Sequence, residues 1–130
     1  MLKYSRQRES IKSYLETHLT HPTAETVYLD IKQEFPNISL GTVYRNLNLL
    51  ADMGEILRIS PGNGPDRYDG NAAPHYHFIC TQCGKVLDID MKHQTQLDEL
   101  AGKYFDGTIT GHVTHFLGIC PECNNNSQTN

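Results

Sequence analysis

The fold of the N-terminal half is decided by one stretch of the chain, SLGTVYRNLNLLADMG at residues 39–54. Its apolar residues recur at the spacing of a helix and share one face. They are Val43, Leu47 and Leu50. Ser39 can cap the start of this helix and Gly54 can end it. The opposite face is left for solvent or a partner. It carries Gly41, Arg45 and Asn48.

Two further helices and a hairpin surround this stretch. The first helix has its apolar stripe at Ile11, Tyr14, Leu15 and Leu19. The second begins at Pro22-Thr23 and ends at Pro36-Asn37. After the third helix come a strand from Glu55 to Ile59, a turn rich in glycine and proline, and a strand around Arg67-Tyr68-Asp69. Three helices followed by a two-stranded wing predict a winged helix-turn-helix domain at residues 1–70.

The C-terminal half has a different pattern. After a linker at residues 71–74, alternation predicts strands from His75 to Cys80 and from Lys85 to Asp90. A helix with its stripe at Leu97, Leu100, Ala101 and Tyr104 and a last strand from Thr108 to Ile119 follow. We therefore predict an α+β protein with a small second α/β domain at residues 75–123. The polar tail at residues 124–130 is predicted to be disordered.

All four cysteines lie in this second domain, as two Cys-x-x-Cys pairs. The pairs are Cys80 with Cys83 and Cys120 with Cys123. Two such pairs can present four thiolates to one tetrahedral Zn²⁺, which predicts a structural zinc site that ties the first hairpin to the end of the domain. Buried or redox-active thiols are the alternative.

No enzyme motif accompanies the cysteines. Zinc nucleobase deaminases need His-x-Glu and Pro-Cys-x-x-Cys, and this chain has neither, since Pro121 lies inside its knuckle. It also has no Ser-His-Asp arrangement and no glycine-rich phosphate loop. We therefore expect a protein that is not an enzyme.

A second metal site is indicated by His75-Tyr76-His77, because alternate residues of a strand share one face and Cys80 has the opposite parity. Ordinary polar side chains on a half-exposed strand are the alternative.

The composition restricts the classes of partner that the protein is expected to bind. The net charge of −4 argues against a protein that coats nucleic acid indiscriminately, although a local basic surface can still bind a duplex. No apolar run approaches a membrane span and the N-terminus lacks the pattern of a signal peptide. We expect a cytoplasmic protein without a membrane partner. Two small domains within 130 residues would each need a metal or a partner to complete their cores.

Several segments together resemble the ferric uptake regulator family over residues 5–123. They are His21-Pro22-Thr23-Ala24, Ser39-x-x-Thr42-Val43-Tyr44-Arg45-x-Leu47, Arg67-Tyr68-Asp69, His75-x-His77-x-x-Cys80-x-x-Cys83-Gly84-Lys85-Val86 and Gly118-Ile119-Cys120-x-x-Cys123. The resemblance implies a homodimeric transcriptional repressor that binds AT-rich inverted repeats in double-stranded DNA when metal is bound. It places the third helix in the major groove. The candidate DNA contacts are Tyr44, Arg45, Asn46 and Asn48.

The residue at position 69 indicates which branch of the family the chain resembles. Members of the family that sense peroxide have an aspartate where iron and zinc regulators usually have a glutamate or another ligand, and this chain has Asp69. By resemblance, the regulatory ligands are His21, Asp69, His75, His77 and Asp88, a set that suits Fe²⁺ or Mn²⁺. The resemblance further implies oxidation of His21 or His75 to 2-oxo-histidine when iron meets peroxide, which would derepress oxidative-stress genes.

Two alternatives stay open. The first is a repressor of iron, manganese or zinc homeostasis that does not sense peroxide. The second is a zinc-ribbon interaction module without DNA binding, which would leave the pattern of the third helix unexplained. Iron-uptake regulators often have a carboxylate at the position of Tyr76, as part of an additional metal site. His112 matches a histidine often used there, but its partners are lacking, which puts that site in doubt. The remaining histidines are expected to be ordinary polar residues. They are His18, His93, His112 and His115.

Overall fold

The computed structural model describes residues 3–62 and 64–128. The chain divides into two compact units, Met1–Ala73 and Pro74–Asn130. The division falls inside the predicted linker at residues 71–74. Among the described helices, none combines the length and the apolar character needed to cross a bilayer.

The first unit consists of three helices and a hairpin. The elements are α1 (Arg6–Thr17), α2 (Ala24–Ile31), α3 (Leu40–Asp52), β1 (Leu57–Ile59) and β2 (Arg67–Asp69). Each helix begins at a hydroxyl side chain that accepts a backbone N–H of its first turn; the three caps are Ser5, Thr23 and Ser39. The two strands pair in antiparallel register. This is the predicted winged-helix order, and the fold confirms it.

The core of the first unit lies between the three helices. Ile11, Leu15, Val27, Val43 and Leu47 have no exposed surface. Two details differ from the sequence prediction. Leu19 is 63% exposed because α1 ends at Thr17, before the predicted stripe is complete. The second helix ends at Ile31, and a turn closed by the Phe35 N–H on the Ile31 carbonyl covers the rest of the predicted span.

The second unit is built on a three-stranded sheet in the order β4-β3-β5. The strands are β3 (Tyr76–Cys80), β4 (Val86–Ile89) and β5 (His115–Gly118), with helices α4 (Gln96–Gly102) and α5 (Pro121–Gln128). Strand β3 pairs antiparallel with β4 and parallel with β5. The mixed helix and strand content confirms the α+β class. The last strand is shorter than predicted and covers only residues 115–118 of the span 108–119.

The predicted disordered tail is wrong for residues 124–128, which continue helix α5 to Gln128. Pro121 favours the start of this helix, because a backbone N–H in the first turn would have no partner within the helix and proline lacks that N–H. The Cys123 N–H meets the Cys120 sulfur at 3.5 Å, and the Asn124 N–H donates to the Cys120 carbonyl at 2.8 Å. Residues 129 and 130 lie outside the described part of the chain.

Gly70, just after β2, should tolerate no side chain. A Cβ there would lie 2.6 Å from the Leu15 carbonyl carbon and 2.7 Å from the Glu16 nitrogen, and both are backbone atoms that cannot turn away. We expect Gly70→Ala to destabilise the protein by about 1–3 kcal/mol, as overpacking does, measured by urea unfolding. Gly64→Ala is the control, since a Cβ there meets no atom within 4 Å. Equal unfolding midpoints for the two variants would contradict the close approach.

Candidate metal centres

The four cysteine side chains come together in the second unit. Cys80 is the last residue of β3, Cys83 follows in a tight turn, and Cys120 and Cys123 lie at the start of α5. The Cys80 and Cys123 sulfurs are 3.8 Å apart, and so are those of Cys83 and Cys120. Gly84 makes the turn possible through a φ of 78°, a conformation that glycine adopts without strain.

The geometry of this cluster fits zinc. Zn–S bonds of about 2.3 Å directed to the corners of a tetrahedron put the sulfurs about 3.8 Å apart. A disulfide would need about 2.0 Å, and all four cysteines are free thiols. The four sulfur atoms lie within 4.8 Å of one another. A closed set of four thiolates would hold a metal and leave no position for a substrate, so the cluster suits a structural zinc ion.

Backbone N–H groups prepare the cluster for a cation. The N–H groups of Cys83 and Cys120 both point at the Cys80 sulfur, at 3.4 Å. They lower the pKa of the Cys80 thiol to about 6, against the opposing effect of burial. The hydrogen bond with Cys120 and burial raise the pKa of Cys123 to about 12. Zinc must therefore displace the Cys123 proton, and its affinity falls as the pH falls.

A buried imidazole and carboxylate face each other in the first unit. His21 Nε2 lies 3.2 Å from Asp69 Oδ2, and both side chains are only 2–3% exposed. The other Asp69 oxygen accepts the Asn71 N–H at 2.9 Å, which fixes the carboxylate. His21 has a φ of 57°, an uncommon conformation for a non-glycine residue. Arg67 donates to its carbonyl at 3.1 Å and holds it there.

In the second unit, Asp88 lies between two histidines. Its Oδ1 is 3.1 Å from His75 Nε2 and 3.4 Å from His77 Nε2. The sheet register causes this, because His77 and Asp88 are direct partners across β3 and β4. The centroids of the two imidazole rings are 4.3 Å apart. Two imidazoles that share a carboxylate form a donor set for a divalent cation. Burial, and then His77, lower the pKa of neighbouring His115.

A third group, His93, Asp98 and His112, also brings its ligand atoms within 4.8 Å of one another. The sequence alone predicts both histidines to be ordinary polar residues. His93 comes from the loop before α4, Asp98 from α4 and His112 from the segment before β5. Their separation along the chain matches no ligand spacing, and only the placement of α4 brings them together.

The candidate DNA contacts on α3 do not all face solvent. Tyr44 is 38% exposed, and Arg45 is exposed as well. Asn48 is half-buried and accepts the Tyr68 hydroxyl at 3.5 Å. Asn46 is only 7% exposed, which does not fit the predicted contact. It lies three residues after Val43 and four before Leu50, on the face that packs in the core.

Comparisons with known proteins agree with this arrangement. The model of the ferric uptake regulator family matches residues 1–112. The peroxide-responsive repressor PerR of Staphylococcus aureus strain Mu50 is 37% identical over 122 residues, which are 94% of this chain and 82% of that protein.

Two solved structures are similar in fold as well as in sequence. The ferric uptake regulator Fur of Helicobacter pylori is 31% identical with a TM-score of 0.80, over 95% of this chain and 83% of that one. The peroxide stress regulator of Campylobacter jejuni is 32% identical with a TM-score of 0.79, over 90% and 88% of the two chains.

Removal of one thiolate should destroy the zinc site. Cys120→Ser should lose zinc and unfold the second unit, because the three remaining thiolates do not complete the tetrahedron. Metal analysis of the purified protein, circular dichroism and size-exclusion chromatography measure this. Gln82→Ser, an exposed change within the first knuckle, should retain the metal. A folded zinc-free dimer of Cys120→Ser would show that the cluster has no structural role.

Proposed function

Because the chain belongs to the ferric uptake regulator family, we propose that it is a metal-dependent DNA-binding repressor that senses hydrogen peroxide by oxidation of its own histidine ligands. The observation that carries this proposal is the buried pair of His21 and Asp69, at 3.2 Å. An aspartate at this position is the feature by which the chain resembles the peroxide-sensing branch. Similarity to a peroxide-responsive repressor at 37% identity supports the assignment.

The first unit supplies the DNA-binding surface in this proposal. Helix α3 is the recognition helix, and its exposed Tyr44 and Arg45 lie where a helix in the major groove meets base edges and phosphates. The wing of β1 and β2 follows it directly. With a net charge of −4, binding depends on these local groups rather than on the whole surface. The partner is double-stranded DNA with an AT-rich inverted repeat, read by a homodimer.

The second unit supplies the dimer contact. Many of its large apolar side chains are exposed in the single chain. They include Leu97, Leu100, Tyr104, Phe105, Phe116 and Leu117. Leu117 is 67% exposed although it lies on β5, within the sheet. Apolar surface at this density favours association with a second copy of the chain.

The regulatory cation is proposed to be Fe²⁺ or Mn²⁺, with His21, Asp69, His75, His77 and Asp88 as its ligands. The support comes from each unit by itself, since the first holds one imidazole nitrogen and the second holds two against a carboxylate oxygen. Nitrogen and oxygen donors suit these metals better than soft ones. If the cation and the DNA both bind the same conformation of the protein, each strengthens the binding of the other by linkage.

Peroxide sensing follows from the imidazoles among the ligands. Bound Fe²⁺ would supply the electron that begins the reduction of peroxide, whereas Mn²⁺ does not readily do so. In the net reaction, one H₂O₂ would transfer one oxygen atom to C2 of the His21 or His75 ring and leave as H₂O, while the hydrogen displaced from C2 would move to a ring nitrogen. The ring is oxidised to 2-oxo-histidine, loses the metal and with it the affinity for the operator. Genes of the oxidative-stress response are then derepressed.

A second function rests on the similarity to the Helicobacter pylori ferric uptake regulator Fur, at a TM-score of 0.80. The chain would then repress genes of iron, manganese or zinc homeostasis without responding to peroxide. The two functions differ in whether peroxide releases DNA from the iron-loaded protein.

Asp69→Glu distinguishes them. The longer side chain moves the carboxylate against His21, and a displacement of this size can slow a reaction by roughly 100-fold. We expect the variant to keep metal-dependent DNA binding and to release DNA far more slowly after peroxide, measured by fluorescence anisotropy with Fe²⁺. Asp66→Glu, an exposed change in the same segment, is the control and should behave as wild type. An unchanged response of Asp69→Glu would favour the homeostasis regulator.

Arg45→Ala tests the recognition helix. The probe is a duplex with an inverted repeat, selected from random DNA by the Mn²⁺-loaded protein. Loss of the exposed guanidinium should cost about 1–3 kcal/mol of DNA-binding free energy and leave Mn²⁺ affinity unchanged, as measured by calorimetry. Lys103→Ala removes a cation from the second unit and should have little effect. Normal DNA binding by Arg45→Ala would place the interface elsewhere.

A further inference from the structure

We propose that Arg67 is a positioning residue for His21, because its guanidinium keeps the His21 backbone in the conformation that turns the imidazole toward Asp69. The inference rests on the function proposed above, since it assigns the residue that prepares one of the regulatory ligands. Arg67 itself offers no ligand atom to a cation, because a guanidinium has only hydrogen-bond donors. It acts through His21.

The backbone of His21 has a conformation that its own sequence disfavours. With a φ of 57°, it is the one non-glycine residue at positive φ among the residues that the structure describes. The Cβ atom of an L-residue crowds the following carbonyl oxygen in this region, and a residue before proline, here Pro22, prefers extended backbone. Such conformations persist where the surrounding structure imposes them, and they are concentrated at functional sites.

Strand β2 supplies the contacts that impose this conformation. The Arg67 guanidinium donates to the His21 carbonyl at 3.1 Å, and the Tyr68 N–H donates to the Pro22 carbonyl at 3.0 Å. Thr23 and Arg67 also pair as an isolated β-bridge. One strand therefore binds two successive carbonyls in the segment that joins α1 to α2.

Arg67 and Asp69 hold His21 at its two ends. Asp69 Oδ2 lies 3.2 Å from the ring nitrogen Nε2, whereas Arg67 binds the backbone carbonyl. The two residues are separated by one position on β2 and lie on the same face of the strand, which fixes the spacing between their contacts. The half-buried Arg67 makes a charge-assisted hydrogen bond, which is stronger than a neutral one. The Tyr68 bond holds Pro22, one residue further on, and does not replace this contact.

The positive charge of Arg67 opposes a cation bound at His21. On Coulombic grounds alone, removal of this charge should raise the affinity for the cation. Loss of the positioning contact should lower the affinity, because His21 would then have to be ordered when the cation binds. The two effects have opposite signs, so the direction of the change in affinity shows which of them dominates.

Arg67→Met tests the proposal in the full chain with zinc in its cysteine cluster. At positive φ the amide and α protons of one residue come close together, so wild-type His21 should give a strong nuclear Overhauser cross-peak between them, recorded without Mn²⁺. Arg67→Met should weaken this cross-peak. It should also bind Mn²⁺ about 10–100-fold more weakly in calorimetry, which is the usual effect of removing the partner of a metal ligand.

Arg58→Met is the matched control. It removes the same charge from the neighbouring strand β1, where Arg58 pairs with Asp52 at 3.2 Å, and it should keep both the cross-peak and the Mn²⁺ affinity. Arg67→Gln is a second variant, which keeps a polar side chain at this half-buried position but is too short to reach the same carbonyl. It should behave as Arg67→Met does, and circular dichroism verifies that each variant folds.

His21→Gln separates this proposal from the function on which it rests. If His21→Gln binds Mn²⁺ as tightly as wild type, the proposed ligand set fails, and the cross-peak alone then decides whether Arg67 holds the backbone. If it binds Mn²⁺ more weakly, both measurements apply to the Arg67 variants. An unchanged cross-peak, or a Mn²⁺ affinity equal to or above that of wild type, in folded Arg67→Met or Arg67→Gln would then overturn the proposal.

Discussion

The second unit depends on the register of one five-residue strand, β3. Because β3 is bonded on both edges, to β4 and to β5, a slip by one residue would turn every side chain to the other face. The alternation sends His77 toward Asp88 and gives Tyr76 and Cys80 the opposite parity. One strand thereby contributes to three clusters. His77 belongs to the proposed regulatory ligands, Cys80 belongs to the cysteine cluster, and the Tyr76 hydroxyl lies 2.9 Å from His112 Nε2.

The two units are stabilised by different means. The first has a continuous core across three helices and the wing, with Val27, Val43 and Leu47 fully buried. The second buries few large apolar side chains, chiefly Tyr76, Ile79 and Val86, and exposes many others. Small domains of this kind need a metal or a partner. In the proposed assembly, a zinc ion in the cysteine cluster would join β3 to α5, and a second copy of the chain would cover the exposed apolar surface.

The sequence predicts those features of the fold and of the site that a local pattern of residues determines. The apolar face of α3, its Ser39 cap and the wing follow from spacing and capping chemistry, and the cysteine cluster follows from its two pairs. The other features depend on how the helices and strands are arranged in the tertiary structure. Asn46 lies on the buried face of α3 although its neighbours are exposed, and α5 extends through a polar tail because Cys120 begins it. His93, Asp98 and His112 are distant along the chain and meet only in the tertiary structure, which no spacing in the sequence reveals.

In the proposed function, the protein's own histidines detect peroxide. Peptide mass mapping after brief exposure to hydrogen peroxide tests it most directly, with the Fe²⁺-loaded protein compared with the Mn²⁺-loaded protein. We expect one added oxygen atom on His21 or His75 with Fe²⁺ and none with Mn²⁺. Unmodified histidines in the Fe²⁺-loaded protein would contradict it.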